Sequence, residues 1–296
     1  MTYPERVRRA RELYRLLRGE APPLALRELL EAVLGLKCSR VDVAEVGMER
    51  LYALSVSHGF GMALASFKTL PVLERDKGDW SDHAAGYVDL SDPRGLYTVY
   101  LGPDEEAAET ACLAEAQLGD DIFGELLGIP ACCRAFYLEL RATALQRGDD
   151  YLELTLERSA QRIPAGANIL GQYFGQTLMS HFPCSLECAR SREATWARGR
   201  ALREVNEDLV DHLEEGHYRH VLVLTGTGMW GFEGQPIPGG VLVQGAQRRV
   251  GAPGLKLPAG TRLLAHETGR GVNLCSPDGI WRGLERARLV VVEPRW

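Results

Sequence analysis

Four of the seven cysteines in this 296-residue chain lie in two short segments that each begin with proline. The first segment runs from Pro130 to Cys133, and the second runs from Pro183 to Cys188. Proline is favoured at the first position of a helix, where its missing N–H would have no partner. Cysteines that follow it lie in the first turn, whose free N–H groups and positive dipole end favour thiolate over thiol. The pattern therefore predicts anionic sulfur at two helix starts.

The spacing of the cysteines limits the kind of centre they could form. Cys184 and Cys188 are four residues apart, so on a helix they would lie on one face. Cys132 and Cys133 are adjacent and would point about 100° apart on a helix. An adjacent pair suits a multi-metal cluster, or one ligand beside one free thiol, better than it suits a single ion. His181, three residues before Cys184, could supply a nitrogen ligand.

We predict that a metal is bound by the cysteines of both segments, which are Cys132, Cys133, Cys184 and Cys188. Four thiolates, or three with a histidine, suit tetrahedral zinc or an iron–sulfur cluster. Neither segment is the C-x2-C knuckle of closed zinc sites, and the C-x3-C-x2-C pattern of radical-SAM enzymes is absent because position 191 is serine. The sequence favours an iron–sulfur cluster of the 4Fe-4S type, with three of the cysteines as ligands and one open iron. Zinc is the alternative. A dithiol–disulfide relay or simple packing of the thiols would also fit.

Both segments resemble motifs of an uncharacterised, largely archaeal domain family. The family motifs are Gly-Tyr-Pro-x-Cys-Cys-x-x-Phe and a later Pro-Cys-Ser-x-x-Cys. In this chain the first motif spans Gly128 to Phe136, with Ile129 in place of the tyrosine, and the second spans Pro183 to Cys188. The resemblance covers about residues 95–195. It implies that the two segments act together, and it brings no activity with it.

The elements that must position the cysteines are predicted to be mostly helical. Helices are predicted over 103–117, 120–128, 130–146, 150–161 and 167–181, and a long one over 183–214. Two helices within 5–36 and three strands, at 51–56, 61–67 and 97–101, precede them. From His220 onward, short apolar runs separated by glycine and proline predict β structure.

The predicted fold class is therefore α+β. It has a mainly helical metal-binding core, an N-terminal α/β portion and a small β-rich C-terminal domain. The predicted domains are residues 1–219, which hold the cysteine segments, and residues 220–296, which form the β-rich domain.

Composition and charge exclude several classes of protein. The net charge of −6 and the pI of about 5.7 disfavour a nucleic-acid partner. The sequence has no run of 18 apolar residues, so we expect no membrane association. Residues Met1 to Arg6 lack an apolar signal core. We therefore expect a cytoplasmic protein, in which reduced thiols bind metal instead of pairing as disulfides.

Two functions fit these features. In the first, the protein is an enzyme whose cluster carries out sulfur transfer or redox tailoring of a small-molecule substrate, which Arg134, His181 and Arg190 would orient. In the second, zinc staples the two helix starts without catalysis, and the β-rich tail binds a partner. A closed four-ligand site would favour the second function, and an open coordination position beside a polar cleft would favour the first.

Overall fold

A computed structural model describes residues 1–70, 87–117, 119–146, 151–166, 168–224, 228–251, 257–266, 271–279, 281–285 and 287–293. The helices in these ranges are α1 (Tyr3–Leu17), α2 (Pro23–Leu34), α3 (Glu45–His58), α4 (Glu105–Ala116), α5 (Asp120–Leu126), α6 (Ala131–Gln146), α7 (Tyr151–Glu157), a 3-10 helix (Ile169–Phe174), α8 (Ala189–Arg203) and α9 (Glu207–Tyr218). The strands are β1 (Ser39–Val43), β2 (Gly61–Thr69), β3 (Tyr87–Val88), β4 (Leu96–Gly102), β5 (Arg162–Pro164), β6 (His220–Leu224), β7 (Gly228–Ile237), β8 (Gly240–Gly251), β9 (Arg262–Ala265), β10 (Val272–Cys275), β11 (Trp281–Leu284) and β12 (Ala287–Glu293). The fold class is α+β, as predicted.

The chain divides into two compact units, and the first contains α1 to α6, β1 to β4 and α8. Its sheet is antiparallel with the strand order β1-β4-β2-β3, so that β4 is central. The side of α4 that is buried consists of alanines, including Ala108 and Ala111, and small side chains let a helix approach a sheet closely. The N-terminus of α4 is capped by Asp104, whose carboxylate accepts a hydrogen bond from Ala107 N at 3.0 Å.

The second unit contains α7, the 3-10 helix and an eight-stranded sheet with the order β11-β10-β9-β8-β7-β6-β12-β5. Both faces of β6 are buried, because Val221 and Val223 pack in one apolar cluster and Leu222 packs in another. Such strands read as continuous apolar runs, which is why β6 and β12 were recognisable in the sequence. The β-rich C-terminal part is thus confirmed.

One strand of this sheet comes from the middle of the chain. The short β5 pairs in parallel with β12, and Arg162 lies opposite Val291. Residues 151–166 and 168–189 therefore cluster with the C-terminal sheet. The domain boundary between residues 219 and 220 stays a prediction, and the sequence did not indicate this additional strand.

Three predicted elements are wrong. Where a helix was predicted over 167–181, the structure has only the 3-10 helix Ile169–Phe174, and residues 175–181 form neither helix nor strand. Residues 51–56 belong to helix α3 and not to a strand, and α3 ends at Gly59, whose positive φ of 65° is typical of a helix C-cap. The long helix over 183–214 is replaced by a non-helical segment followed by α8 and α9. Asn206 separates these two helices and caps α9 by accepting a hydrogen bond from Leu209 N at 2.7 Å. The mainly helical core predicted from the sequence is therefore interrupted by the non-helical segment that precedes α8.

Among the helices in the described part of the chain, none combines the length and the apolar composition needed to cross a membrane.

A buried group of charges ties α2 to the segment that leads into β1. The carboxylate of Glu28 pairs with Lys37 and Arg27 and accepts a hydrogen bond from Ser39 Oγ at 2.8 Å. Lys37 Nζ also lies 3.3 Å from a carboxylate oxygen of Glu31. Burial alone would raise the pKa of Glu28, but the positive charges of Lys37 and Arg27 outweigh it and hold that pKa well below its usual range. Glu28 is therefore ionised at neutral pH.

Replacing Glu28 with glutamine should lower the free energy of unfolding at pH 7 by about 3 kcal/mol, because it leaves buried cations without their main partner. The pKa of Glu28 is lower in the folded state than in the unfolded state. The contribution of its carboxylate to the free energy of unfolding is therefore complete above the unfolded pKa of about 4.3. It declines as the pH falls below that value and is lost as the pH falls through the folded-state pKa. In urea unfolding, the difference between Glu28→Gln and the parent should therefore shrink markedly at about pH 3.

The control for this prediction is Glu12→Gln, because Glu12 pairs with Arg8 on the exposed surface. The control variant should stay close to the parent at both pH values. An equal loss of stability for Glu28→Gln at both pH values would contradict the prediction.

Candidate metal centre

The first cysteine pair lies at the start of α6, as predicted. The backbone N–H groups of Cys133 and Arg134 donate to the carbonyl of Pro130 at 2.8 and 3.0 Å. Cys132 and Cys133 therefore occupy the first helical turn, directly after Ala131. The Cys132 side chain is exposed and the Cys133 side chain is buried. The predicted proline-opened helix start is confirmed for this segment.

The turn that leads into α6 requires glycine at position 128. Gly128 has a φ of 68°, and a Cβ there would lie 3.3 Å from Lys37 Cβ. The guanidinium of Arg198 donates to the Gly128 carbonyl at 2.6 Å. Arg198 is on α8, so this helix and the backbone conformation of Gly128 together fix the point at which α6 begins.

The second cysteine pair lies outside any helix, which corrects the prediction for Pro183. Cys184 and Cys188 belong to an irregular segment that ends where α8 begins, at Ala189. Within it, the Cys188 N–H donates to the Ser185 carbonyl at 3.0 Å and closes a turn. The four-residue spacing of these cysteines therefore reflects a turn and not one face of a helix.

Contacts from α7 and the residues after it hold this segment in place. Thr155 Oγ1 donates to the carbonyl of Pro183 at 2.9 Å, and Ser159 Oγ accepts a hydrogen bond from the N–H of Leu186 at 2.8 Å. Leu186 is fully buried in an apolar cluster that also includes Leu152 and Leu156 of α7. The turn between the two cysteines is thus fixed by hydrogen bonds and by a buried side chain.

The two segments bring four sulfur atoms together. All Sγ atoms of the set lie within 4.8 Å of one another, and the set is Cys132, Cys133, Cys184 and Cys188. The Sγ atoms of Cys132 and Cys133 are 3.9 Å apart. A single ion that binds four sulfurs at about 2.3 Å in a tetrahedron places them about 3.8 Å apart. These four cysteines could therefore hold a metal, and the adjacent pair spans a distance close to one edge of such a tetrahedron.

Ser191 is a candidate site residue that the sequence did not single out. Its hydroxyl is buried and lies 3.1 Å from Cys133 Sγ. A hydroxyl can donate a hydrogen bond to a thiolate and share its negative charge. The one sequence feature that could have drawn attention to Ser191 is its position three residues after Cys188. From the sequence alone, a serine at this position served only to exclude the radical-SAM motif.

The three residues predicted to orient a substrate have different environments. Arg134 donates to a carboxylate oxygen of Asp121 at 2.7 Å and to the carbonyl of Ile129 at 3.1 Å. Arg190 is exposed in the first turn of α8, and His181 is buried. The contacts of Arg134 hold the turn before α6 to α5. A role for these residues in substrate binding stays a prediction.

Replacing Gly128 with alanine should destabilise the protein more than the same change at Gly175. Both glycines have a φ near 70°, which costs an alanine about 1 kcal/mol or more. A Cβ at Gly175 meets nothing within 4 Å, whereas one at Gly128 crowds Lys37 and the guanidinium of Arg198. In urea unfolding, Gly128→Ala should lose about 1 kcal/mol more than Gly175→Ala, because a buried hydrogen bond is also disturbed. Equal losses would show that the crowding has no effect on stability.

No protein-family model matches this sequence, and neither a curated protein nor a solved structure matches it. The resemblance of the two cysteine segments to the archaeal motifs therefore remains a prediction that rests on those motifs alone.

Proposed function

We propose that the protein binds one zinc ion through four cysteine thiolates, and that the ion has a structural role. The observation that carries this proposal is the mutual distance of at most 4.8 Å among the four Sγ atoms. Closed tetrahedral sets of four thiolates are typical of structural zinc. In a 4Fe-4S cluster each thiolate binds a different iron, which requires a wider separation of the sulfurs.

The burial of the sulfurs supports a bound cation. Cys133 and Cys188 are buried, and their sulfurs lie within 4.8 Å of two further ligand sulfurs. Thiolates at such distances repel one another, and burying an uncompensated charge is costly. A divalent cation among the thiolates offsets half of their negative charge and so reduces both penalties. The hydroxyl of Ser191 beside Cys133 further stabilises negative sulfur.

The proposed role of the ion is to order residues 181–188. This segment has turns and bends but no helix or strand. A structural zinc ion contributes its binding free energy to folding, and it can fix a segment that has little regular structure of its own. Bound zinc would restrain Cys184 and Cys188 within this segment.

The exposure of Cys132 favours a second candidate function. A ligand that is open to solvent gives a substrate access to the centre, as in the iron–sulfur enzyme for sulfur transfer or redox tailoring predicted from the sequence. In that function Arg134, His181 and Arg190 would orient the small molecule. The short sulfur distances support zinc more strongly, and metal analysis distinguishes the two candidates.

Protein purified without oxygen should be colourless and contain about one zinc per chain, without acid-labile sulfide. Cys133→Ser and Cys184→Ser should lose zinc and unfold at lower temperature, because each removes a ligand. Cys112→Ser and Cys275→Ser are the matched controls, since these partly buried cysteines lie outside the cluster, and they should keep zinc. Metal content by mass spectrometry and a visible spectrum are the measurements.

Two outcomes would contradict the zinc proposal. A brown protein with iron and acid-labile sulfide would support the iron–sulfur enzyme instead. A metal-free protein whose Cys132→Ser and Cys184→Ser variants unfold like the parent would exclude both functions.

Ser191→Ala should weaken zinc binding about 10- to 100-fold, because the variant removes a hydrogen bond to a ligand sulfur. Competition with a chromogenic chelator measures this affinity. Thr195→Ala is the matched control: Thr195 is also buried on α8, but its hydroxyl donates to the backbone carbonyl of Ser191. The control should keep the parent affinity. Equal affinities for Ser191→Ala and the parent would exclude a role for this hydroxyl at the centre.

A further inference from the structure

The four cysteines of the proposed centre differ in their exposure to solvent. Cys132 is exposed, Cys184 is partly buried, and Cys133 and Cys188 are buried with 0% and 8% of their surface exposed. The hydroxyl of Ser191 lies against the Cys133 sulfur. A small oxidant in solution therefore meets Cys132 before the other sulfurs of the centre.

The chemical state of Cys132 differs from that of cysteines outside the centre. A metal-bound cysteine is held as thiolate, and thiolates are the reactive form towards oxidants. Burial raises the pKa of the Cys38 thiol, and burial together with the charge of Glu115 raises that of Cys112. These two thiols remain protonated at neutral pH and react slowly. Cys132 is the exposed member of the proposed ligand set.

The backbone determines which cysteine can form a disulfide with an oxidised Cys132. Cys133 is adjacent, and Cα atoms across a trans peptide are about 3.8 Å apart, whereas a disulfide spans about 4.4–6.8 Å. Cys188 is buried, and its N–H is hydrogen bonded in the turn. Cys184 is more accessible, lies in a segment without helix or strand, and has its Sγ within 4.8 Å of that of Cys132. A bond of about 2.05 Å therefore requires a shift of less than about 3 Å by an irregular segment.

We propose that Cys132 is a site of oxidation by hydroperoxides, and that its oxidation leads to a Cys132–Cys184 disulfide and to release of the metal. This inference rests on the proposed zinc centre. The Cys132 sulfur attacks the terminal oxygen of the hydroperoxide, the O–O bond breaks, and the other oxygen leaves as alkoxide or hydroxide and takes a proton from water. The product at Cys132 is a sulfenic acid.

In the second step, the sulfenic acid at Cys132 is converted to a disulfide. The Cys184 thiolate attacks the sulfur of the sulfenic acid, the S–S bond forms, and the S–O bond breaks with loss of hydroxide. Two electrons have then passed from the two sulfurs to one peroxide. The ion keeps only two thiolates, so its affinity falls and it leaves. A thiol reductant and added zinc restore the centre.

The test uses zinc-loaded full-length protein, hydrogen peroxide and a chromogenic chelator that reports free zinc. We expect zinc release at a rate proportional to peroxide, and peptide mass spectrometry should find one main disulfide, between Cys132 and Cys184. Cys132→His should still bind zinc, since histidine is a zinc ligand. It should release zinc at least about tenfold more slowly, because the exposed thiolate is gone. Cys112→Ser should behave like the parent.

A second variant checks the resolving step. In Cys184→His, peroxide should leave a sulfenic acid at Cys132 that dimedone traps, and no disulfide should involve Cys132. Zinc that stays bound in peroxide-treated parent protein would overturn the inference, as would a first modification at Cys133 or Cys188. Disulfide mapping in the parent decides the matter even if a variant fails to fold. A parent protein that contains no zinc before treatment contradicts the proposed function itself, and the two failures are thus distinguishable.

Discussion

Four cysteine sulfurs within 4.8 Å of one another can carry negative charge together only if a cation lies among them. Three features of the surrounding structure bring the sulfurs together or stabilise negative charge on them. The first turn of α6 supplies two sulfurs, and a turn just before α8 supplies the other two. The hydroxyl of Ser191, in the first turn of α8, faces one of the sulfurs. Helix starts and tight turns both expose N–H groups, which makes them suitable places for anionic ligands.

Support for the α6 start extends well beyond the cysteines. The carbonyl of Gly128 accepts a hydrogen bond from Arg198, and the same glycine lies against Lys37. Lys37 in turn belongs to the buried charges around Glu28. Separating Lys37 from Glu28 would break a buried ion pair, which is energetically costly. These contacts fix the turn that precedes Cys132 and Cys133.

The sequence predicted the composition of the site better than its geometry. Proline and the cysteine positions sufficed to locate the start of α6 and the four cysteines that lie close together, because these signals are local. The conformation around Cys184 was missed because it depends on Thr155 and Ser159, which come earlier in the chain. A spacing of four residues fits a turn as well as a helix. The helix α3 was missed because its apolar residues allowed either structure, and only the glycine at its end distinguishes them.

The parallel pairing of β5 with β12 has a consequence for the order in which the protein folds. During synthesis, residues 162–164 leave the ribosome long before residues 291–293, with which they pair. Until then β5 has no strand beside it, and the nearby residues that hold the second cysteine pair lack one side of their packing, to which Val290 and Val292 contribute. The packing around this segment is therefore completed late, after the last strand has joined the sheet.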